Sequence, residues 1–232
     1  MKTLIIGLTI AAFTAGAAFA QDRTVRMGTE GAYEPYNFIN DKGEIDGFER
    51  DLGDRLCEIA GYKCEWVKSD WDNIIPNLLS GNFDTIMAGM SITAERQEKI
   101  DFSQAYFPSD PSAYVALAGA GEDVRDGNVA AQVNTIQAGH VATSGAKLVE
   151  LATAHETGAA GCNREDQKIV DESNGALIFV GDDVPLGEGI GMGVRKSDAE
   201  MREKFDAAID QMKADGSLNT LIEKWFPGKQ GF

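Results

Sequence analysis

Between residues 24 and 96 short apolar runs alternate with amphipathic stretches of helical period, and that alternation leaves few folds open to the chain. Residues 24–28, 63–67 and 83–87 read as strands. Residues 51–60 put Leu52, Leu56 and Ile59 on one face of a helix, and 71–79 do the same with Trp71, Ile74, Ile75, Leu78 and Leu79. Strand, helix, strand in that order predicts an α/β sheet with crossovers, whose ligands bind beyond the carboxyl ends of the strands. By that rule the loop 30–38, with Tyr33, Pro35 and Tyr36, and the stretch 88–96 lie at the same edge.

The stretch 88–96 reads Ala-Gly-Met-Ser-Ile-Thr-Ala-Glu-Arg. Ala88 and Gly89 are small, and Gly89 lets a ligand approach the backbone closely. Ser91 and Thr93 offer hydroxyls, and Ser91 suits the N-cap of a short turn. Arg96 can grip a carboxylate through two parallel N–H bonds and stays charged at any working pH. Together they form a socket for a small carboxylate. The plainer reading is a capping turn with Arg96 paired to Glu95 or Asp101.

Residues 1–20 combine Lys2, an apolar run and Ala18-Phe19-Ala20, the pattern of a signal peptide cleaved after Ala20. The chain is therefore expected in the periplasm. Its net charge is −16, and loss of Lys2 with the leader makes it one unit more negative. Such a surface repels nucleic acid and anionic membranes, so any anion site must be local. Export permits disulfides, and Cys57, late in a helix, can staple to Cys64 at the start of a strand; two buried thiols are the alternative. No His or second Cys pair lies nearby, so neither a metal nor another cofactor is expected. Cys162 is left over.

The motifs Gly-Phe-Glu-Arg-Asp-Leu (47–52), Trp-Asp-Asn-Ile-Ile-Pro (71–76), Phe-Asp-Thr-Ile-Met (83–87), Ser-Ile-Thr-Ala-Glu-Arg (91–96) and Ile-Asp-Phe-Ser (100–103) come in an order and spacing that resembles the periplasmic amino-acid-binding proteins of ABC importers, solute-binding family 3. The resemblance covers about residues 25–118 and 180–226. It implies a two-lobed, type II periplasmic binding protein fold, with lobe one at 21–108 and 191–232, lobe two at 111–188, and hinges near 109–110 and 187–191. The ligand implied is a free, polar amino acid, the partner a membrane permease, and the working form a monomer. In this family Arg96 and Ser91 would hold the α-carboxylate, and the backbone near Ala88 and Gly89 would accept from the α-ammonium. Thr135, with Asn134 beside it, matches the lobe-two threonine that closes on the carboxylate. Tyr33 and Trp71 would wall the ligand, and Glu30 would face its side-chain end; ordinary core packing, or a solvated loop carboxylate for Glu30, is the alternative.

The second half departs from the family pattern. Strands are expected at 113–118, 129–132 and 176–180, a loop at 119–128, a helix start just after Asn134, Thr135 and Gln137, and helices at 146–154, 198–215 and 217–225. Family members carry a further lobe-two strand with an Asp-Ala pair and an acid that caps the α-ammonium. Here 156–167 shows neither, so lobe two reads as shortened, by remodelling or by deletion. Asp166, Asp182 and Asp183 are candidate substitutes. The glycines at 187–193 alternate strictly and lack the dinucleotide-binding spacing. His140 and His155 form no nucleophile–base arrangement, which favours a binding protein over an enzyme. The competing function is a periplasmic dehydratase of prephenate-like cyclic carboxylates on the same fold, with Glu30 as its acid.

Overall fold

The computed structural model describes residues 23–120, 127–153, 162–163 and 167–232. The leader, His155 and Asp166 lie outside them. In chain order the first half contains β1 (Thr24–Thr29), β2 (Ala32–Tyr33), β3 (Asn37–Ile39), β4 (Ile45–Asp46), α1 (Phe48–Ala60), β5 (Lys63–Lys68), a single 3-10 turn (Trp71–Asn73), α2 (Ile74–Leu79), β6 (Thr85–Ile86), α3 (Ala94–Gln97) and β7 (Asp101–Phe107). The second half contains β8 (Ser112–Leu117), β9 (Asn128–Gln132), α4 (Ile136–Ser144), β10 (Lys147–Leu151), β11 (Cys162–Asn163), α5 (Gln167–Glu172), β12 (Leu177–Val184), β13 (Ile190–Val194), α6 (Ala199–Ala214) and α7 (Ser217–Trp225).

A five-stranded mixed sheet of order β5-β1-β6-β13-β7 organises the first half together with the last three elements. β1 runs parallel to β5 and β6, and β13 returns antiparallel between β6 and β7. Alternate residues of these strands feed two cores. Val25, Met27, Met87, Met192 and Val194 pack with Phe48, Leu52 and Leu56 of α1, Phe205 and Ile209 of α6, and Leu218 and Ile222 of α7. Ile86 and Ala88 pack with Trp71, Ile74, Leu78 and Phe83. Asp84 locks the sheet's opening to its closing strand: it accepts from Arg26 at 3.0 Å and from Arg195 at 3.0 Å. Burial opposes its ionisation, but the two guanidiniums outweigh it and hold the carboxyl down at about 2.

The remaining strands form smaller sheets, β2-β3-β4, β10-β9 and β11-β8-β12. The expected loop at 30–38 is thus partly built into β2 and β3, and α1 begins at Phe48, three residues earlier than the sequence suggests. Gly47 makes that entry possible, with φ of 121° and a Cβ position only 2.5 Å from the Tyr36 carbonyl oxygen. Cys57 and Cys64 are bonded, with Cα atoms 6.2 Å apart, joining the end of α1 to β5.

One element reverses its expected type. The helix expected to start near Gln137 is α4, but Lys147–Leu151, inside the stretch expected to be helical, forms the strand β10, paired in parallel with β9 from Lys147–Asn128 to Leu151–Gln132. Gly145, left-handed with φ of 100°, stops the helix just before Lys-Leu-Val-Glu-Leu. Five residues are too few for periodicity to separate helix from strand. The second-half strands therefore split between two sheets. The stretch 156–167 falls largely outside the described residues, and its strand β11 is two residues long, opposite Ala113 and Ser112 of β8. Asp182 and Asp183 lie exposed on β12.

Candidate functional site between the sheet edge and the β9–α4 turn

The carboxyl ends of β1 and β6 carry the two turns that the sequence brings to one edge. Glu30 follows β1 directly and is buried, only 5% exposed. Tyr33 stacks on Tyr36 with ring centroids 4.9 Å apart, and Tyr36 in turn packs against Phe107 and Phe226. Ala88 is buried, and Gly89 follows with φ of +62°. A Cβ on Gly89 would lie 2.9 Å from the Tyr33 ring, so the two turns touch where only glycine fits.

Arg96 reaches across this edge. Its Nη1 donates to the Ser91 carbonyl at 2.8 Å and its Nη2 to the Asn134 carbonyl at 3.0 Å. The guanidinium carbon stands 5.4 Å from the centroid of the Trp71 ring. No carboxylate among the described residues pairs with it. Glu95 sits instead within 3.7 Å of Lys99, so the capping-turn reading with an Arg96–Glu95 or Arg96–Asp101 pair does not hold. Loss of surrounding water pushes the guanidinium down to about 10, with the nearby Glu95 acting weakly the other way. A cation so placed, hydrogen-bonded to neutral carbonyls and backed by an indole, matches an incoming carboxylate.

Ser91 is not the cap expected of it. Thr93 caps α3, its Oγ1 accepting from the Arg96 N–H at 3.2 Å, while Ser91 forms an isolated antiparallel bridge with Ile190. The cap orients Arg96 at its backbone, and Ser91 holds it through a carbonyl.

The β9–α4 turn covers the edge. Asn134 is exposed with a φ of 59°, and it meets Arg96 through its carbonyl. Thr135 caps α4, accepting from Ala138 N–H at 3.1 Å and donating to the Gln132 carbonyl at 2.7 Å. Trp71 donates from Nε1 to the Val133 carbonyl at 3.0 Å. Gln132 donates from Nε2 to Glu30 at 2.7 Å and to the Ala152 carbonyl at 3.2 Å. Three successive residues, 132–134, thereby meet Glu30, Trp71 and Arg96. Glu30 is pushed up to about 7, chiefly by burial, with Asp70 and Asp72 adding and Gln132 and Lys68 opposing.

Of the nine sequence-derived candidates, Glu30, Tyr33, Ala88, Gly89 and Ser91 lie on the turns after β1 and β6, Arg96 in α3, Trp71 at the start of the 3-10 turn after β5, and Asn134 and Thr135 on the β9–α4 turn; hydrogen bonds from Trp71 and Arg96 tie the two sides together. Sequence reasoning missed Gln132 and the Val133 carbonyl, whose contacts join residues 62 and 102 positions apart. It also assigned no role to Glu49, although the residue stands in the Gly-Phe-Glu motif; its side chain is fully buried beneath both turns.

The family model for bacterial extracellular solute-binding proteins, family 3, matches residues 25–228. The chain belongs to that family. Among curated members of it, the lysine/arginine/ornithine-binding periplasmic protein of Escherichia coli is 31% identical over 250 residues, covering 97% of this chain and 94% of its own. Among solved structures, a periplasmic His/Glu/Gln/Arg/opine family-binding protein from Silicibacter pomeroyi in complex with lysine is 62% identical, with a TM-score of 0.85 over 90% of this chain and 99% of that one. An ancestral amino-acid-binding protein, described as a precursor of cyclohexadienyl dehydratase, is 32% identical with a TM-score of 0.74 over 88% of this chain and 95% of that one. This family-3 protein therefore has the type II binding-protein fold, and its sheets follow that architecture.

Proposed function

We propose that this family-3 protein captures a free amino acid with a basic side chain and delivers it, in the periplasm, to the membrane permease of an ABC importer. Its lobes divide at 109–110 and 187–191, and the ligand lies between the strand-end turns and the β9–α4 turn. The observation that carries the reading is Arg96, a cation with no carboxylate partner among the described residues, facing the junction. It takes the α-carboxylate, with Ser91 and Thr135 completing that end. Gly89 exposes backbone for the α-ammonium, and Tyr33 and Trp71 flank the side chain. Glu30 provides a buried acid for a distal cation, which an apolar side chain would leave uncompensated. The lysine held by the Silicibacter pomeroyi relative supports the same chemistry.

A dehydratase reading draws on one observation. Glu30, raised to about 7 by burial, has the pKa of a general acid, and one structural relative is a precursor of such an enzyme. The two readings separate in one experiment, in which the protein is incubated with L-lysine or with prephenate and the mixture is analysed. Binding predicts lysine retained and recovered unchanged, with prephenate untouched. Catalytic loss of prephenate would overturn the binding reading.

A further inference from the structure

Beneath the candidate site lies a carboxylate that touches both of its turns. Glu49 occupies the first turn of α1, where the helix N-terminus favours negative charge. Its Oε1 accepts from the Gly89 N–H at 2.8 Å and from the Tyr106 hydroxyl. Its Oε2 accepts from Asn37 Nδ2 at 2.7 Å, and Asn37 Oδ1 accepts from the Gly31 N–H at 2.8 Å. One oxygen therefore serves the turn of Gly89, Ser91 and Arg96, and the other serves the turn of Glu30 and Tyr33. Glu49, Asn37 and Tyr106 are each 0% exposed, so the carboxylate depends on these protein donors rather than on water, with only the Gly89 end of the network half-buried.

We propose that Glu49 is a positioning residue that sets the two ligand-facing turns in register, so that grip on the α-amino-acid end and grip on the side-chain end form as one unit. Its effect on affinity rests on the binding reading above. A carboxylate is the group the position requires. The Gly89 and Asn37 N–H groups can only donate, so each oxygen must accept. Burial raises the Glu49 carboxyl, while the three donors favour its ionised form. An amide could satisfy only one side: its N–H₂ would confront Gly89 N–H or Asn37 N–H₂.

That asymmetry supplies the test. Glu49→Gln leaves one turn without its acceptor. Asn37→Asp in the same chain restores the set. The amide now at position 49 then donates to the carboxylate now at position 37, and that carboxylate still accepts from Gly31. The amide carbonyl at position 49 keeps Gly89 and Tyr106. Two quantities are read well below the melting midpoint of the weakest variant. Amide hydrogen exchange at Gly31 and Gly89 reports the coupling without any ligand, and calorimetric titration with L-lysine reports its consequence. E49Q is expected to lose protection at one of the two glycines and about tenfold in lysine affinity, equivalent to about 1.4 kcal/mol. The N37D/E49Q pair is expected to regain both to within about threefold, on the order of 0.6 kcal/mol. Unchanged glycine exchange or unchanged lysine affinity in E49Q, at whatever cost in melting point, would overturn the proposal. So would failure of the double variant to recover. Wild type that binds neither lysine nor arginine would refute the basic-ligand reading instead, and the glycine exchange would still decide whether Glu49 couples the turns.

Discussion

Replacing Arg96 with Ala removes the cation on which the site depends. In the structure the guanidinium has exchanged water for two carbonyl acceptors, at 2.8 and 3.0 Å, and the Trp71 face. These neutral partners compensate the lost hydration incompletely, which is why its pKa falls to about 10. Deleting the charge should therefore change unliganded stability little, by about 1 kcal/mol or less, since no ion pair is broken. The liganded state is different. A carboxylate that has left water for this junction loses its counter-charge, and breaking such a pair costs about 3–5 kcal/mol. At 1.4 kcal/mol per tenfold, affinity should fall by roughly two to three and a half orders of magnitude. Calorimetric titration with lysine, beside chemical denaturation of the same variant without ligand, gives both numbers. Affinity within threefold of wild type would refute the reasoning, and so would a large loss of unliganded stability, which would make Arg96 a structural residue.

Other expected outcomes follow from Glu30, Gly89 and the disulfide. Glu30 is raised in the folded state, so between about pH 4.5 and 7 the folded protein holds a proton that the unfolded chain releases, and unliganded stability should fall as pH rises through that window by roughly 3 kcal/mol at most. Denaturation at pH 5 and pH 8 should show this slope in wild type and lose it in Glu30→Gln, while affinity for a cationic side chain should rise over the same window as the carboxylate forms. Gly89→Ala must hold a side chain at φ of +62° and displace the Tyr33 ring from 2.9 Å, so it should cost about 1–2 kcal/mol for the backbone alone and weaken lysine binding, as read by melting and titration. Replacing Cys57 and Cys64 together by Ala should lower stability by about 2.5 kcal/mol through the short closed loop, with lysine affinity measured at 25 °C unaffected.

The parts of this molecule legible in its sequence are those written in short segments. The strand–helix alternation before residue 96 gave the strands β1, β5 and β6 and brought the turns after β1 and β6 together, whereas β7 and β13, which complete the five-stranded sheet, lie beyond it; Arg96 stood out as a cation among small residues. Contacts between distant segments left no such trace. Gln132 meets Glu30 across 102 positions, and its type, a glutamine ending a strand, is ordinary in isolation. Ser91 was the cap expected from the sequence, yet Thr93, two residues on and also a hydroxyl, is the one whose side chain caps α3. The swap of helix for strand at Lys147–Leu151 came from a segment of five residues with two leucines and a valine, short enough to satisfy either period. Glu49 was visible only as a charged residue of the Gly-Phe-Glu-Arg-Asp-Leu motif, just before the expected helix, and only the fold shows that its side chain points inward beneath both turns.

The most direct measurement is thermal unfolding of the protein against each of the twenty amino acids in excess. A ligand held only by the folded state must raise the midpoint. Lysine, arginine or both should raise it clearly, with aspartate and glutamate giving no shift because Glu30 opposes a second acid. A cooperative transition that no amino acid moves would contradict the account.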